Sequence, residues 1–382
     1  MSLFNIEKFT FFIIMKKDQK KFIIRNISKA RLNSNFPGTL IIFIRFLMFL
    51  RYSYFSYHDF SIFLTSKLIK KDFTIIIHSS NKTKPRLHKF LDHYYINKSY
   101  IHYFVVYGEK VRPDPKYPYL LASSCKDDTI SIAGKNAYAY EYFLNNKSLG
   151  DFLYRAMDDT ILNITNLEKL INELRLIYDP KKHIIFKGYA NNLNNRIFLG
   201  GGTGWLMSRA MVEIHTIHDY SWPYNFHFSH RHQDDTTETI ILKKVGFKSM
   251  KVWNDPRWAE NICNSDNPAD FLNGKFSSLK KCPADVKLTP IKDMISMHGR
   301  KENKRRIALY SGNYPDNIYI YRVDNPKRDT CCFLCISDSG IVDNRTSFQY
   351  LKENSQFLTV EDLKNREPFQ MSNITNYIYV DR

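Results

Sequence analysis

The sequence predicts an α/β protein built on a mixed, mostly parallel central sheet with helices on its faces. Three observations predict it. Short β-branched and aromatic runs alternate with segments of helical apolar spacing between residues 73 and 218. Polar clusters follow those runs, at the ends where such sheets present ligands. A hydrophobic fraction of 43% with 15% aromatic residues supplies enough apolar surface to cover both sheet faces, and lies far from the composition of a disordered chain.

The first strand is Phe73–His78 (FTIIIH), which enters the polar turn Ser79-Ser80-Asn81 and then a helix from about Pro85 to Tyr95. Tyr100–Tyr107 (YIHYFVVY) is the second strand, closed by Gly108 and followed by a proline-broken connection from Pro113 to Pro118. Lys135–Leu144 has helical spacing, and Asp151–Met157 (DFLYRAM) returns to extended character just before Asp158-Asp159. Beyond come a helix over Asn166–Tyr178, a strand over His183–Tyr189, a glycine-rich turn at Gly200–Gly204 and a helix from Ser208 to about His218. A parallel sheet collects ligands outside the carboxyl ends of its strands, which is where Ser79-Ser80 and Asp158-Asp159 are delivered.

A chain of 382 residues is long enough for a full α/β domain with additional segments. The expected division is a basic N-terminal segment, 1–72, a catalytic domain, 73–298, and a C-terminal extension, 299–382, which is more polar and lacks long periodic segments until Asn376–Val380. The first 72 residues carry thirteen Lys and Arg against four Asp and Glu, so half of the net charge of +18 lies there. Such a charge suits a polyanion: nucleic acid, an anionic membrane surface or a nucleotide diphosphate. Within this segment Thr39–Leu50 is apolar apart from Arg45, follows a basic stretch from Lys16 to Arg31 and precedes Arg51. With residues up to about 55 it reads as an uncleaved signal anchor with its N-terminus cytoplasmic, or as a helix packed on the domain. Asn-x-Ser/Thr triplets such as those at Asn81, Asn97 and Asn146 agree with secretion but arise by chance in an Asn-rich chain. Six cysteines are too few for a disulfide scaffold. Cys263 and Cys282 form a bridge in a secretory lumen or stay as buried thiols.

Two acidic pairs carry the chemistry. Adjacent carboxylates at a strand end repel unless a cation or hydrogen bonds compensate them, so Asp158-Asp159 either holds a divalent metal or caps the helix that begins near Thr165. Asp234-Asp235 follows a loop rich in aromatic and histidine residues and offers a general base for a sugar hydroxyl, or a helix start with Glu238 in its first turn. Between them FLGGGTGWLMSR (198–209) places four glycines in five residues, where a ligand or another backbone can come close. All four tryptophans, Trp205, Trp222, Trp253 and Trp258, fall within 54 residues around these motifs, as core or as stacking faces for sugars.

In order, RAMDDTIL, GGTGWLMSR, HQDDTTE and SMHG resemble the motifs of the fringe and core-1 β1,3-galactosyltransferase superfamily, with weaker similarity in IHSSNKTKPRLHKFL and KNAYAYEYFL, over about residues 73–298. The resemblance implies a GT-A type nucleotide-diphospho-sugar transferase fold, a UDP-sugar donor carrying galactose or N-acetylglucosamine, a glycan or glycoprotein acceptor, Mn²⁺ and inversion at the anomeric carbon. It implies a single-pass type II protein of Golgi or other secretory-pathway membranes, with no nucleic-acid partner. By position it makes Asp159 and His298 the metal ligands and Asp235 the catalytic base, with Asp234 the runner-up. Asp158, Gly201, Gly202 and Gly204, and less securely Ser79, Ser80 and Arg86, fall on the donor side.

Three positions depart from the family pattern. Met157 stands where the first Asp of the metal triplet is usual, Tyr95 stands where Trp is usual, and the glycine after the second acidic pair is not at its expected spacing. A catalytically degenerate member that binds a UDP-sugar or glycan without transfer, and a polybasic nucleic-acid or membrane-surface binder whose acidic pairs are only caps, are the rival readings. The latter predicts binding that collapses with salt.

Overall fold

A computed structural model describes residues 73–94, 102–122, 125–128, 131–193, 196–215, 234–247, 254–260, 279–298, 316–324, 330–337, 341–342 and 358–364. All of these lie in one compact unit, Ile69–Arg382. Thr39–Leu50, Tyr95 and Cys263 fall outside the described residues. Among the described residues no helix is long and apolar enough to cross a membrane.

The elements follow the expected alternation. β1 (Phe73–His78) leads into α1 (Lys84–Tyr94), then β2 (His102–Tyr107), β3 (Tyr119–Leu121), α2 (Ile132–Asn145), β4 (Phe152–Met157), β5 (Ile161–Leu162) and α3 (Ile164–Ile177). β6 (Phe186–Gly188), the hairpin β7 (Ala190–Leu193) and β8 (Arg196–Leu199), β9 (Trp205–Ser208), α4 (Arg209–Ile214) and α5 (Asp234–Val245) come next. The single strand expected over His183–Tyr189 is thus a shorter β6 followed directly by the hairpin, and the helix after Ser208 ends at Ile214. Ser208 starts that helix by accepting from the Met211 N–H, and Asn163 starts α3 by accepting from the Asn166 N–H. Because Asn163 holds the N-cap, the capping alternative for Asp158-Asp159 is corrected.

The central sheet has the order β3-β2-β1-β4-β9-β6. β1, β2, β3 and β4 are parallel, whereas β9 runs antiparallel to both β4 and β6. Side-chain alternation explains why β1 is buried at every position. Ile75 and Ile77 join Leu87 and Leu91 of α1 and Leu167 and Leu170 of α3 on one face. Ile76 meets Ala139, Tyr140 and Phe143 of α2 and Met211 of α4 on the other.

A second sheet, β10-β12-β5, is built from β10 (Trp258–Ala259), β12 (Ser296–Met297) and β5. A third has the order β14-β13-β11-β15, with β11 (Lys287–Pro290), β13 (Ile318–Val323), β14 (Cys331–Ile336) and β15 (Ile341–Val342). The sequence reading assigns no strands here, yet Ile318, Ile320, Cys332 and Leu334 enter the same core as β1. A disulfide joins Cys282 to Cys335, so the expected Cys263–Cys282 bridge is corrected. Cys331 is also disulfide-bonded, while Cys125 and Cys332 are buried thiols. α6 (Val360–Lys364) closes the second core face through Val360 and Leu363.

Candidate functional site

The carboxyl ends of β1 and β4 are in register, with His78 opposite Met157, and the Asp158 N–H donates to the His78 carbonyl at 3.0 Å. That pairing carries Ser79 and Asp158 onward together. The Ser79 hydroxyl donates to Asp158 Oδ2 at 2.8 Å, and the Arg86 guanidinium on α1 pairs with Asp158 and reaches Asp159 Oδ2 at 3.4 Å. Ser80 turns the other way: its hydroxyl lies 2.9 Å from that of Thr83 and its carbonyl accepts from Thr83 and Lys84, so it shapes the entry to α1.

The second sheet brings in the far half of the motif set. Ala259 pairs with Met297 and Met297 with Ile161, so the residues that follow, Glu260 and His298, emerge beside Asp159. His298 Nε2 stands 3.4 Å from Asp159 Oδ1, and His298 Nδ1 stands 3.7 Å from Glu260 Oε1. Glu260 is held in turn by the Gly202 N–H at 3.2 Å and by Asn191 Nδ2 at 3.2 Å. Adjacent donors on an octahedral divalent ion stand roughly 3 Å apart, so the Asp159 carboxylate and the His298 imidazole fit one such ion as neighbouring ligands. Among the described residues no group of three or more His, Cys, Asp or Glu side chains is gathered for a metal. Two protein side chains alone would leave most positions of such an ion to other ligands.

The glycine turn sits against this pair. A Cβ on Gly202 would lie 2.2 Å from His298 Nδ1, and one on Gly200 would lie 1.8 Å from Glu260 Oε2. Gly204 has φ +72, with the Arg155 carbonyl 2.1 Å from the place of its Cβ. The Thr160 hydroxyl donates to the Gly202 carbonyl at 2.7 Å and ties the acidic motif to the turn. Gly202→Ala is expected to displace the His298 ring and lower divalent-metal affinity by at least tenfold while leaving the melting temperature within a few degrees. Calorimetry with Mn²⁺ and a thermal melt check both halves.

On the other side of the turn α5 supplies the second acidic pair, and its two members differ. Asp234 is buried against the Arg155 guanidinium and accepts from Asn136 Nδ2 at 3.3 Å. Arg155 itself is 1% exposed, donates to the Gly201 carbonyl and stacks on Trp205 at 4.3 Å. Asp234 is thus committed to a structural ion pair. Both members lie by Gly201, whose Cβ position is 3.4 Å from Asp235 Cβ, 3.8 Å from Asp235 Oδ2 and 3.9 Å from Asp234 Oδ1, but it is Asp234 that takes the buried Arg155 as its ion-pair partner. Desolvation and the neighbouring Asp234 carboxylate push the Asp235 pKa up to about 7.

Asp158 and Glu260 are raised as well, chiefly by burial, with Arg86 and His298 opposing the respective shifts. The sign is the same for all three: the folded state holds protons more tightly than the unfolded chain. Their contribution to stability therefore falls as pH climbs from about 4 towards 7. A carboxyl accepts a proton only when it is itself deprotonated, so a reaction that uses Asp235 as base is expected to have a kcat/KM that rises with pH through about 7 and then levels off. Initial rates between pH 5 and 9 test this, and a flat profile across that range contradicts it.

The structure brings together Asp159, His298, Gly201, Gly202 and Asp235 around one turn, and joins Ser79, Arg86 and Asp158 behind them. Sequence reading missed Glu260 and Arg155. Arg155 had a signal, because one Arg inside the apolar run DFLYRAM requires a buried carboxylate partner.

No family model matches the chain, and no curated protein matches it. Among solved structures, a glycosyltransferase involved in the glycosylation of the major capsid of PBCV-1 matches with TM-score 0.34 and 12% identity, over 63% of this chain and 99% of that chain. A likeness at this level carries no argument about activity.

Proposed function

We propose that this chain is a GT-A type, fringe-like glycosyltransferase that moves a hexose from a UDP-sugar to a glycan hydroxyl in β1,3 linkage with inversion. One observation carries the reading: Gly201 packs against the acidic pair Asp234-Asp235 and Gly202 against His298, so that a carboxyl raised to about 7 and an Asp–His pair lie on either side of a two-residue turn. A single displacement needs a proton acceptor on one side of the reacting carbon and charge stabilisation on the other.

Asp159 and His298 are the residues that would hold Mn²⁺, whose chemistry there is to stabilise negative charge on a leaving diphosphate. Arg86 aligns the Asp158 and Asp159 carboxylates, and Glu260 places negative charge 3.7 Å from His298 Nδ1 while Nε2 faces Asp159. Asp235 takes the proton from the acceptor hydroxyl as it attacks the anomeric carbon, and Arg155 pins the turn and Asp234 so that the base keeps its place. Release of UDP from UDP-galactose and UDP-N-acetylglucosamine, with and without Mn²⁺ and with glycan acceptors, tests the proposal. Absence of Mn²⁺-dependent UDP release from every donor tried overturns it.

One observation favours a second reading. Met157 removes a carboxylate, and Arg86 already sits on the two that remain, the charge compensation a binding-only protein would retain. That reading expects UDP-sugar binding without turnover in the same assay. Placement in a secretory membrane rests on the Thr39–Leu50 run and on the Cys282–Cys335 bond, which suits an oxidising compartment. Recovery of the full chain in the soluble cytosolic fraction would remove it.

A further inference from the structure

A cavity of about 410 Å³ opens on the far side of Tyr189 from the glycine turn, where the third sheet meets β10. It contains none of Asp159, His298 or Asp235. We propose that it is a second, non-catalytic binding site for a neutral saccharide.

Size comes first. Small-molecule sites run from about 300 to 1,000 Å³, and this cavity falls in the lower part of that range, fit for one or two sugar units. Its chemistry follows from its lining. Trp258 and Tyr189 underlie the cavity, both about 1% exposed and so largely closed to a ligand, and the part-exposed Tyr321 stands on one wall, stacked on Phe333 at 5.4 Å. Aromatic faces take the apolar C–H side of a sugar ring.

The rim is polar but balanced. Arg322 and Asp324 pair at 2.7 Å, and the Thr330 hydroxyl donates to Asp324 at 2.9 Å. Asp285 and Lys287 stand at the exposed edge. A site for an anion such as a nucleotide diphosphate needs surplus positive charge, whereas the rim sets two carboxylates, Asp285 and Asp324, against two cations, Lys287 and Arg322, and Arg322 is already paired. The Tyr321 ring on the wall and carboxylates at the rim, with little net charge, suit the hydroxyls of a neutral ligand.

The walls come from both halves of the unit. β10 and Tyr189 belong to the part that carries the motifs, and Tyr321, Arg322 and Asp324 belong to the segment beyond residue 298 for which the sequence offered no role. Tyr189 is shared: its ring carries the Arg322 guanidinium at 5.0 Å, while its Cδ1 lies 2.7 Å from the Cβ place of Gly200. A sugar seated here is therefore one aromatic ring away from the turn that holds Asp235 and His298. The choice of a saccharide among neutral polar ligands draws on the glycosyl-transfer reading; the cavity itself does not.

The test uses the full chain and saturation-transfer NMR with lactose, N-acetyllactosamine, cellobiose and maltose as probes, in the presence of excess UDP and Mn²⁺. At least one probe is expected to bind, to be indifferent to UDP and to Asp235→Asn, and to lose affinity at least tenfold in Asp324→Ala and in Asp285→Ala. Both substitutions lie at the exposed rim, and a thermal melt confirms that each variant is folded. No binding by the unaltered chain, displacement by UDP, or full retention in both rim variants overturns the proposal. UDP release is measured separately. Saccharide binding without UDP release from any donor removes the transfer reading and leaves the second site, whereas normal UDP release without rim-sensitive binding removes the second site alone.

Discussion

Asp235→Asn is expected to lower turnover by about 10²- to 10⁴-fold, the usual loss when a general base is removed, with UDP-sugar affinity retained. The carboxylate is held by the Thr236 N–H at 2.7 Å and lies by Gly201, so an amide of the same shape fits without moving the turn. A second consequence separates this from a structural lesion. Asp235 bears a desolvated carboxyl beside Asp234, and the neutral amide relieves both costs. The variant should therefore melt at a higher temperature than the unaltered chain at pH 8, and the gain should shrink towards pH 5. Asp234→Asn behaves in the opposite way. It leaves the Arg155 guanidinium, 1% exposed, without its counter-charge, and breaking a buried pair from one side costs about 3–5 kcal/mol. Near-normal turnover in Asp235→Asn together with a folded but dead Asp234→Asn would transfer the base to Asp234.

The strands and helices that place this site were legible because their periodicity is strong. Phe73–His78 and Phe152–Met157 are apolar on both faces, as central parallel strands must be, and the polar residues directly after them are those that converge. The pairing of Asp159 with His298 spans 139 positions and was reached only through the family motifs, since no local pattern joins them. Glu260 escaped because it follows a two-residue strand, Trp258–Ala259, too short to show a period. IYIYRV, at 318–323, is different: its alternation is real, and its inward residues Ile318 and Ile320 are buried, but the polar surroundings masked it. The Cys282–Cys335 bond could not be told from other pairings of six cysteines by spacing.

Asp159→Ala is expected to abolish the Mn²⁺ dependence of UDP-sugar binding, because it removes the carboxylate of the only adjacent Asp–His pair at the strand ends among the described residues. Affinity alone is a poor readout here. Arg86 bridges Asp158 and Asp159, so deleting Asp159 leaves a guanidinium beside the site with one carboxylate instead of two. That freed charge can attract the diphosphate directly, and residual metal-independent binding is the expected result. Calorimetric titration of UDP with Mn²⁺ and with EDTA reads the difference: the unaltered chain binds more tightly with Mn²⁺, and the variant binds equally under both conditions. His298→Ala should produce the same loss without freeing Arg86, so its metal-independent affinity should stay at the level of the unaltered chain in EDTA. Met157→Asp works in the other direction. Residue 157 ends β4 opposite His78, and a carboxylate placed there should tighten Mn²⁺ binding if its side chain reaches the Asp159–His298 pair. A Mn²⁺ response that survives Asp159→Ala undiminished would take the metal away from this end of the sheet and leave Asp158 and Asp159 as the counter-charge of Arg86.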